Sequence, residues 1–288
     1  MTHLLKLINP ILWYRRKHLI LIILANYKHR IIEKFLRNLY KIGLPVKYNP
    51  KLASLKNIHR ERCFIIGNGP SLKISDLEKL KNEITFSSNK IYLAFKYTDW
   101  RPTYYSLEDS SFARNHWNEI KNIDNTVKIL PDILDFFMPR IKTAIYYNLK
   151  WERLWDVEFN YPEPPKFSTN ALECIYAGCT VTYTLLQLAF FMGIREIYLI
   201  GMDFNYNIPD DVKIDENGAY ISNGTENNHF VPDYLEPGDL WSKPRIHMMK
   251  KSMVAANEEY LKNDGKIWNA TRGGNLEIFS RVDFDSLF

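Results

Sequence analysis

The residues best suited to chemistry gather where apolar runs end. Gly67, Asn68, Gly69, Pro70 and Ser71 follow the run Phe64-Ile65-Ile66. Two glycines allow tight backbone geometry and close approach of a ligand, with no Cβ in the way. Pro70 rules out a continuing strand. A turn of this kind, at the carboxyl end of a parallel strand, cradles the phosphate or ribose of a nucleotide. The competing reading is a plain strand-to-helix turn with no ligand. Neither stronger phosphate fingerprint is present: no G-x-x-x-x-G-K-[ST] run exists, and Leu72 occupies the third glycine position of G-x-G-x-x-G. Asn89, the pair Glu108-Asp109, and Gly201-Met202-Asp203 also stand at the ends of apolar runs. Their bland readings are an Asx turn, solvated acids and a turn cap. A single histidine, His229, sits in the long polar stretch 205–244, and loops of that length in a compact domain are usually functional or disordered.

Elements must position these residues. The pattern predicts strands at Cys63–Ile66, Ile84–Ser87, Thr103–Leu107, Val127–Leu130 (stopped by Pro131), Glu196–Ile200 and Lys266–Ala270. A capping-box pattern, Ser75-Asp76-Leu77-Glu78, opens a short helix through Leu80. Thr180 is placed to cap a helix over Val181–Met192, with Gly193 as its stop. A further helix is expected over His247–Lys262, ended at Gly265. A helix feeding a buried strand that ends in Gly-x-Asp is the pattern of a doubly wound α/β fold, whose ligands bind outside the carboxyl ends of the strands. Residues 135–170, rich in aromatics and prolines, read as an irregular or helical insertion that could form a lid; a satellite apolar cluster is compatible with that.

Composition bounds the function. The 288 residues suit one large domain or one domain with a small appendage. The net charge of +5 is unevenly spread: residues 1–50 carry ten Lys/Arg against Glu33, so the remainder is net acidic. A basic body would point to nucleic acid, and this one does not. The basic segment carries apolar residues at helical spacing (Ile31, Ile32, Phe35, Leu36, Leu39, Tyr40) and a run, Leu19–Ala25, too short to span a bilayer. Such an arm can lie on an anionic membrane surface, or pack on its own body or a second subunit. No cleaved signal peptide is expected. Cys63, Cys174 and Cys179 show neither disulfide nor zinc spacing, which fits a reduced, cytoplasmic setting. Residues 45–56 read as a linker, giving an arm over 1–50 and a nucleotide-binding body over 51–288.

At this point the sequence resembles a known group. Ile65 through Leu72 resembles the opening of bacterial sialyltransferases that use CMP-sialic acid, and Thr180 through Phe204 resembles their second conserved block. The resemblance extends to motility accessory factors and to proteins named after 6-hydroxymethylpterin pyrophosphokinase. It implies a single Rossmann-like domain, a GT-A-like variant with a lid segment. It also implies inverting, metal-independent transfer of an acidic nonulosonate-type sugar from a CMP donor, with no cofactor, to a glycan or lipid-linked glycan. Carried over, Gly67, Asn68, Gly69 and Ser71 would line the nucleotide, Asn89 would touch nucleotide or sugar, and Asp203 would hold the ribose hydroxyls. Thr180 opens the family's T-S-G segment, with Val181 where the serine would be. Tyr206 falls one residue after the family's phosphate-binding tyrosine, since Asn205 intervenes. The family has two histidines four residues apart, the second being the base; here His229 matches the first and Asp233 stands at the second.

Chemistry independent of the family asks for the same kinds of group. A hydroxyl nucleophile needs a base with a pKa near the working pH, and histidine suits this. A departing phosphate needs donors aimed at its growing charge; Tyr206, Tyr220 and Arg101 are candidates. Asp-x-Asp occurs only as Asp283-Phe284-Asp285, near the chain end, where it reads as surface. The leading expectation is therefore a glycosyltransferase in polysaccharide biosynthesis, peripheral on the inner membrane through residues 1–45, with no nucleic-acid partner. The alternatives are a pyrophosphokinase using ATP, with Mg²⁺ on Asp109 and Asp203, and a non-catalytic nucleotide-binding protein. Homo-oligomerisation stays open.

Overall fold

A computed structural model describes residues 50–136, 138–150, 165–209, 211–215 and 219–288. The arm over 1–49 and the core of the aromatic insertion, 151–164, lie outside the described residues. The chain forms two compact units.

The larger unit spans Lys51–Tyr206, Asn227–Tyr234 and Arg245–Phe288. Its centre is an eight-stranded sheet. The strands are β1 (Cys63–Ile66), β2 (Ile84–Ser88), β3 (Tyr104–Ser106), β4 (Val127–Pro131), β5 (Ile145–Tyr147), β6 (Glu196–Ile200), β7 (Lys266–Asn269) and β8 (Ser280–Arg281). Their order is β8-β7-β6-β1-β2-β3-β4-β5, and every pairing is parallel. The fold is thus the expected α/β, Rossmann-like class. The chain lays strands outward from β1 to β5, then returns to the other side of β1 with β6. Cys63 to Ile66 pair with Ile84 to Ser87 on one side and with Ile197 to Ile200 on the other. A strand flanked on both sides and covered on both faces has no polar face to keep, which is why Cys63, Phe64, Ile65 and Ile66 are all fully buried.

Two apolar cores sandwich the sheet. On one face Ile65, Phe86, Ile129 and Leu199 pack with helices α4 (Val181–Phe191) and α5 (Ile246–Lys262). On the other, Phe64, Ile66, Tyr105 and Ile200 pack with the shorter helices α1 (Ile74–Lys79), α2 (Ser110–Asn115) and α3 (Trp117–Asn122) and with the 3-10 segment Asn89–Lys96. Thr182 through Phe191 of α4 are all buried, which includes Gln187. That amide is satisfied fourfold: its oxygen accepts from Ser168 N–H (2.9 Å) and Tyr176 N–H (3.0 Å), and its nitrogen donates to the carbonyls of Tyr176 (2.8 Å) and Tyr183 (3.1 Å). Four bonds offset the desolvation of a buried amide. They also tie the chain returning from the insertion to the helix. Gly193, at φ +95°, ends α4 as the sequence predicts.

Several expectations are corrected. The insertion contributes β5, an edge strand of the main sheet, to residues read as irregular. Pro131 belongs to β4 and pairs with Tyr147, since an edge-proximal strand end tolerates a missing N–H. The cap of helix α1 lies two residues early, at Lys73 instead of Ser75, with Asp76 rather than Glu78 accepting from the Lys73 N–H at 3.2 Å. Residues 50–53 of the expected linker form a helical turn.

The smaller unit includes Asn207–Glu226 and Leu235–Pro244. It holds a three-stranded antiparallel sheet of Lys213–Ile214, Tyr220–Ile221 and Leu240–Trp241. Tyr220 meets Trp241 edge-on at 4.9 Å, and Glu226 accepts from Ser222 Oγ at 2.6 Å. The stretch read as an open polar loop therefore contains ordered sheet.

Candidate functional site

The site forms where the strand order reverses. β1 and β6 are neighbours whose onward connections lead to opposite sides of the sheet, and the crevice outside their carboxyl ends is where ligands of such folds bind. A cavity of about 220 Å³ lies there. Gly67, Asn68, Gly69, Asn89, Thr180, Asp203, Tyr206 and His229 all line it. Ser71 and Asp233 do not.

The two strand-end turns lock together. Gly67 N–H donates to Ile200 O at 2.8 Å, and Gly69 N–H to Gly201 O at 2.9 Å. A methyl group on Gly67 would sit 2.3 Å from Gly201 O, and one on Gly69 would sit 2.0 Å from Asp203 Oδ2 and 2.7 Å from Gly201 O. The neighbouring turn thus demands both glycines, a packing reason beside the tight backbone geometry read from sequence. Asp203 is held on both ends. Its carboxylate accepts from Ser71 Oγ at 2.8 Å and from Ser71 N–H at 3.2 Å, while its carbonyl accepts from Asn275 N–H at 2.7 Å. Ser71 therefore orients Asp203 from outside the cavity lining. Phe204, at φ +54°, takes a left-handed turn that swings the chain to Asn205 and Tyr206.

Other walls come from β2, α4 and the segment 227–234. Asn68 Nδ2 donates to Ser88 O at 3.1 Å, and its buried Oδ1 has no partner among the described residues. Asn89 adopts φ +52°, and its carbonyl accepts from Tyr105 Oη at 2.9 Å. Helix α4 presents Thr180, Val181 and Thr182 to the cavity. Thr180 Oγ1 accepts from Thr182 N–H at 3.3 Å, the expected cap. A helix start carries partial positive charge and favours an anion. Burial and the nearby Asp203 charge push the Tyr206 hydroxyl up to about 12, so it stays a donor at neutral pH. His229 stacks flat on Tyr234, with ring centroids 3.6 Å apart and planes 4° from parallel. No lysine or arginine is among the described residues that line the cavity.

The remaining candidates are engaged elsewhere. Asp233 is half exposed and paired with Lys96 at 2.8 Å; that ammonium holds its carboxyl below the usual range, the wrong direction for a base. Arg101 binds Asp124 at 2.9 Å and lies over the Phe95 ring. In the Asp283-Phe284-Asp285 run, Asp285 pairs at 2.9 Å with Arg272, which also binds Asp76 at 2.6 Å. Tyr220 belongs to the small sheet. Asp109 caps α2, accepting from Phe112 N–H at 3.0 Å. Glu108 is buried and accepts from the Thr184 hydroxyl. Lining residues not singled out from sequence include Thr182, Asn228, Tyr234, Met249, Met253 and Leu276. Asn228 and Tyr234 share a segment with His229, whereas Met249 and Met253 of α5 and Leu276 reach the cavity only through the fold.

Comparison with known proteins follows the same residues. The family described as 6-hydroxymethylpterin diphosphokinase MptE-like matches residues 33–209. No curated protein matches the chain. Among solved structures, the MAf glycosyltransferase from Magnetospirillum magneticum AMB-1 is similar at 17% identity and a TM-score of 0.49, covering 89% of this chain and 42% of that one. The chain thus spans less than half the length of that relative. On the extent of the family match, which takes in β1 through β6 and both turns of the site, the chain belongs to the 6-hydroxymethylpterin diphosphokinase MptE-like family.

Proposed function

We propose that the chain is a glycosyltransferase that moves an acidic, nonulosonate-type sugar from a CMP donor to a hydroxyl of a cell-surface glycan, with inversion and without a metal. The observation that carries this reading is the make-up of the cavity. It combines one carboxylate already oriented by Ser71, a helix start, a tyrosine that remains protonated, and one histidine. Asp203 would take the ribose hydroxyls. The α4 start and Tyr206 would donate to the single phosphate as it leaves. His229 would accept the proton of the acceptor hydroxyl, whose oxygen forms the new bond to the anomeric carbon while the bond to the phosphate oxygen breaks. The leaving CMP keeps that electron pair. A single displacement inverts the centre. The basic residues of the arm would hold the enzyme near a lipid-linked acceptor at the inner membrane surface. Among the described residues, no helix is long and apolar enough to cross a membrane.

The family description favours a second reading, diphosphate transfer from ATP to a pterin. That chemistry uses Mg²⁺ held by oxygen ligands. The two carboxylates with a claim, Asp109 and Asp203, are a helix cap and the partner of Ser71. Among the described residues, no group of three His, Cys, Asp or Glu is placed to hold a metal. A nucleotide-bound Mg²⁺ takes only one or two protein carboxylates, and of these two only Asp203 lines the cavity. Thermal shift against CMP, CDP, UDP, GDP and ATP, each with and without Mg²⁺, separates the readings. A ligand that binds only the folded state raises the melting temperature by mass action. CMP alone should do so; a shift seen only with ATP and Mg²⁺ transfers the case to the kinase.

A further inference from the structure

We infer that Tyr234 is a positioning residue for the His229 imidazole, and that Lys90 holds Tyr234 in turn. This deepens the reading of His229 as the base and rests on it.

A histidine side chain turns about two torsions, so a base in a loop needs something to fix its plane. Tyr234 supplies a flat surface: the rings lie 4° from parallel with centroids 3.6 Å apart. Phe230 closes on the Tyr234 ring edge-on at 6.2 Å. Tyr234 is itself held from the element that follows β2. Its hydroxyl accepts from Lys90 N–H at 3.3 Å, and its carbonyl accepts from Lys90 Nζ at 2.8 Å. Lys90 and Tyr234 are each only 6% exposed. A buried ammonium is costly unless hydrogen-bonded, so releasing Tyr234 would strip Lys90 of an acceptor. A third tie, Phe230 N–H to Asn68 O at 3.0 Å, joins the same segment to the glycine turn. The Lys96–Asp233 pair is solvent-exposed, and such pairs contribute little. The orientation of His229 is therefore set by Tyr234 and Lys90, and Asp233 is dispensable to it.

Three measurements test this. In NMR spectra of the full chain, the ring protons of His229, assigned by their loss in His229→Ala, should be shifted upfield by the Tyr234 ring. Tyr234→Phe should keep that shift and Tyr234→Leu should abolish it. In the transfer assay, Tyr234→Leu should lower kcat about 10- to 100-fold, as a misplaced group does, with the donor KM within about twofold. Tyr234→Phe should restore most of the rate. On the His229→Ala background, Tyr234→Leu should cost nothing further, because a residue acting through another is non-additive with it. A shift absent from the wild type, or an equal loss of kcat on both backgrounds, overturns the inference. If His229→Ala leaves transfer intact, the role of His229 as base falls, while the ring shift in the three proteins still decides whether Tyr234 orients it. Should Tyr234→Leu fail to fold, the wild-type shift and its retention in Tyr234→Phe decide.

Discussion

At the scale of single residues, two ionisable groups separate chemistry from architecture. His229 faces the cavity and Asp233 does not, so the two candidates for the base predict different variants. His229→Ala should lower turnover by roughly two to four orders of magnitude, the usual span for losing a general base. Nucleotide affinity, followed by thermal shift, should barely change. Asp233→Ala should leave turnover within a few-fold, and the reverse pattern would make Asp233 the base. Glu108 is the second group. Burial pushes its carboxyl up to about 8, with Thr184 as a partly compensating donor and Asp109 adding to the rise. In the unfolded chain a glutamate ionises near its ordinary value, about 4.3. Between that value and about 8 the unfolded state has released a proton that the folded state keeps, so stability falls as pH rises through this window. Glu108→Gln removes the titration. Its melting temperature relative to wild type should therefore climb from pH 5 to pH 8. A difference that does not change with pH would show that Glu108 ionises normally.

At the scale of elements, the site is a junction of two turns, and glycine is what lets them meet. Gly69→Ala would drive a methyl group against Asp203 Oδ2 and Gly201 O. One contact is a side chain held by Ser71 and the other is backbone, so neither yields cheaply. Overpacking of this kind costs about 1–3 kcal/mol. Denaturant unfolding should read that loss, and CMP should no longer shift the melting temperature of the variant; unchanged stability would mean the turns are looser than described. The junction also shows what was legible in the sequence. The bounds of β1 and β6 could be read directly, because four buried apolar residues in a row leave little choice, and so could the cap of α4. The adjacency of β1 and β6 could not, since it is a property of strand order. Short strands were hidden for another reason. β5, β8 and the two-residue strands of the small sheet are too brief to show a period. Asp203 could be seen at a strand end, but Ser71 as its partner could not, being 132 positions away. Tyr234 was visible only as an aromatic in the same segment as His229.

At the scale of the molecule, charge and chemistry are separated along the chain. The first 50 residues are strongly basic, whereas the remainder is net acidic, and the described residues that line the cavity include no lysine or arginine. A membrane surface is the proposed partner of the basic arm. Deleting residues 1–45 should leave a folded, CMP-binding body that cosediments less with anionic liposomes, the difference fading with added salt. Equal cosedimentation would remove the membrane role, and loss of the folded body would place the arm within its packing. The central claim is the transfer itself, and ³¹P NMR follows it most directly. The 288-residue chain would be given a CMP-linked nonulosonic acid and a hydroxyl acceptor glycan, in excess chelator. The account predicts conversion of the donor phosphodiester signal to the CMP monoester signal, dependent on the acceptor and on His229, without added metal. An inert donor under those conditions, with ATP instead converted to AMP by a hydroxymethylpterin when Mg²⁺ is present, would contradict it.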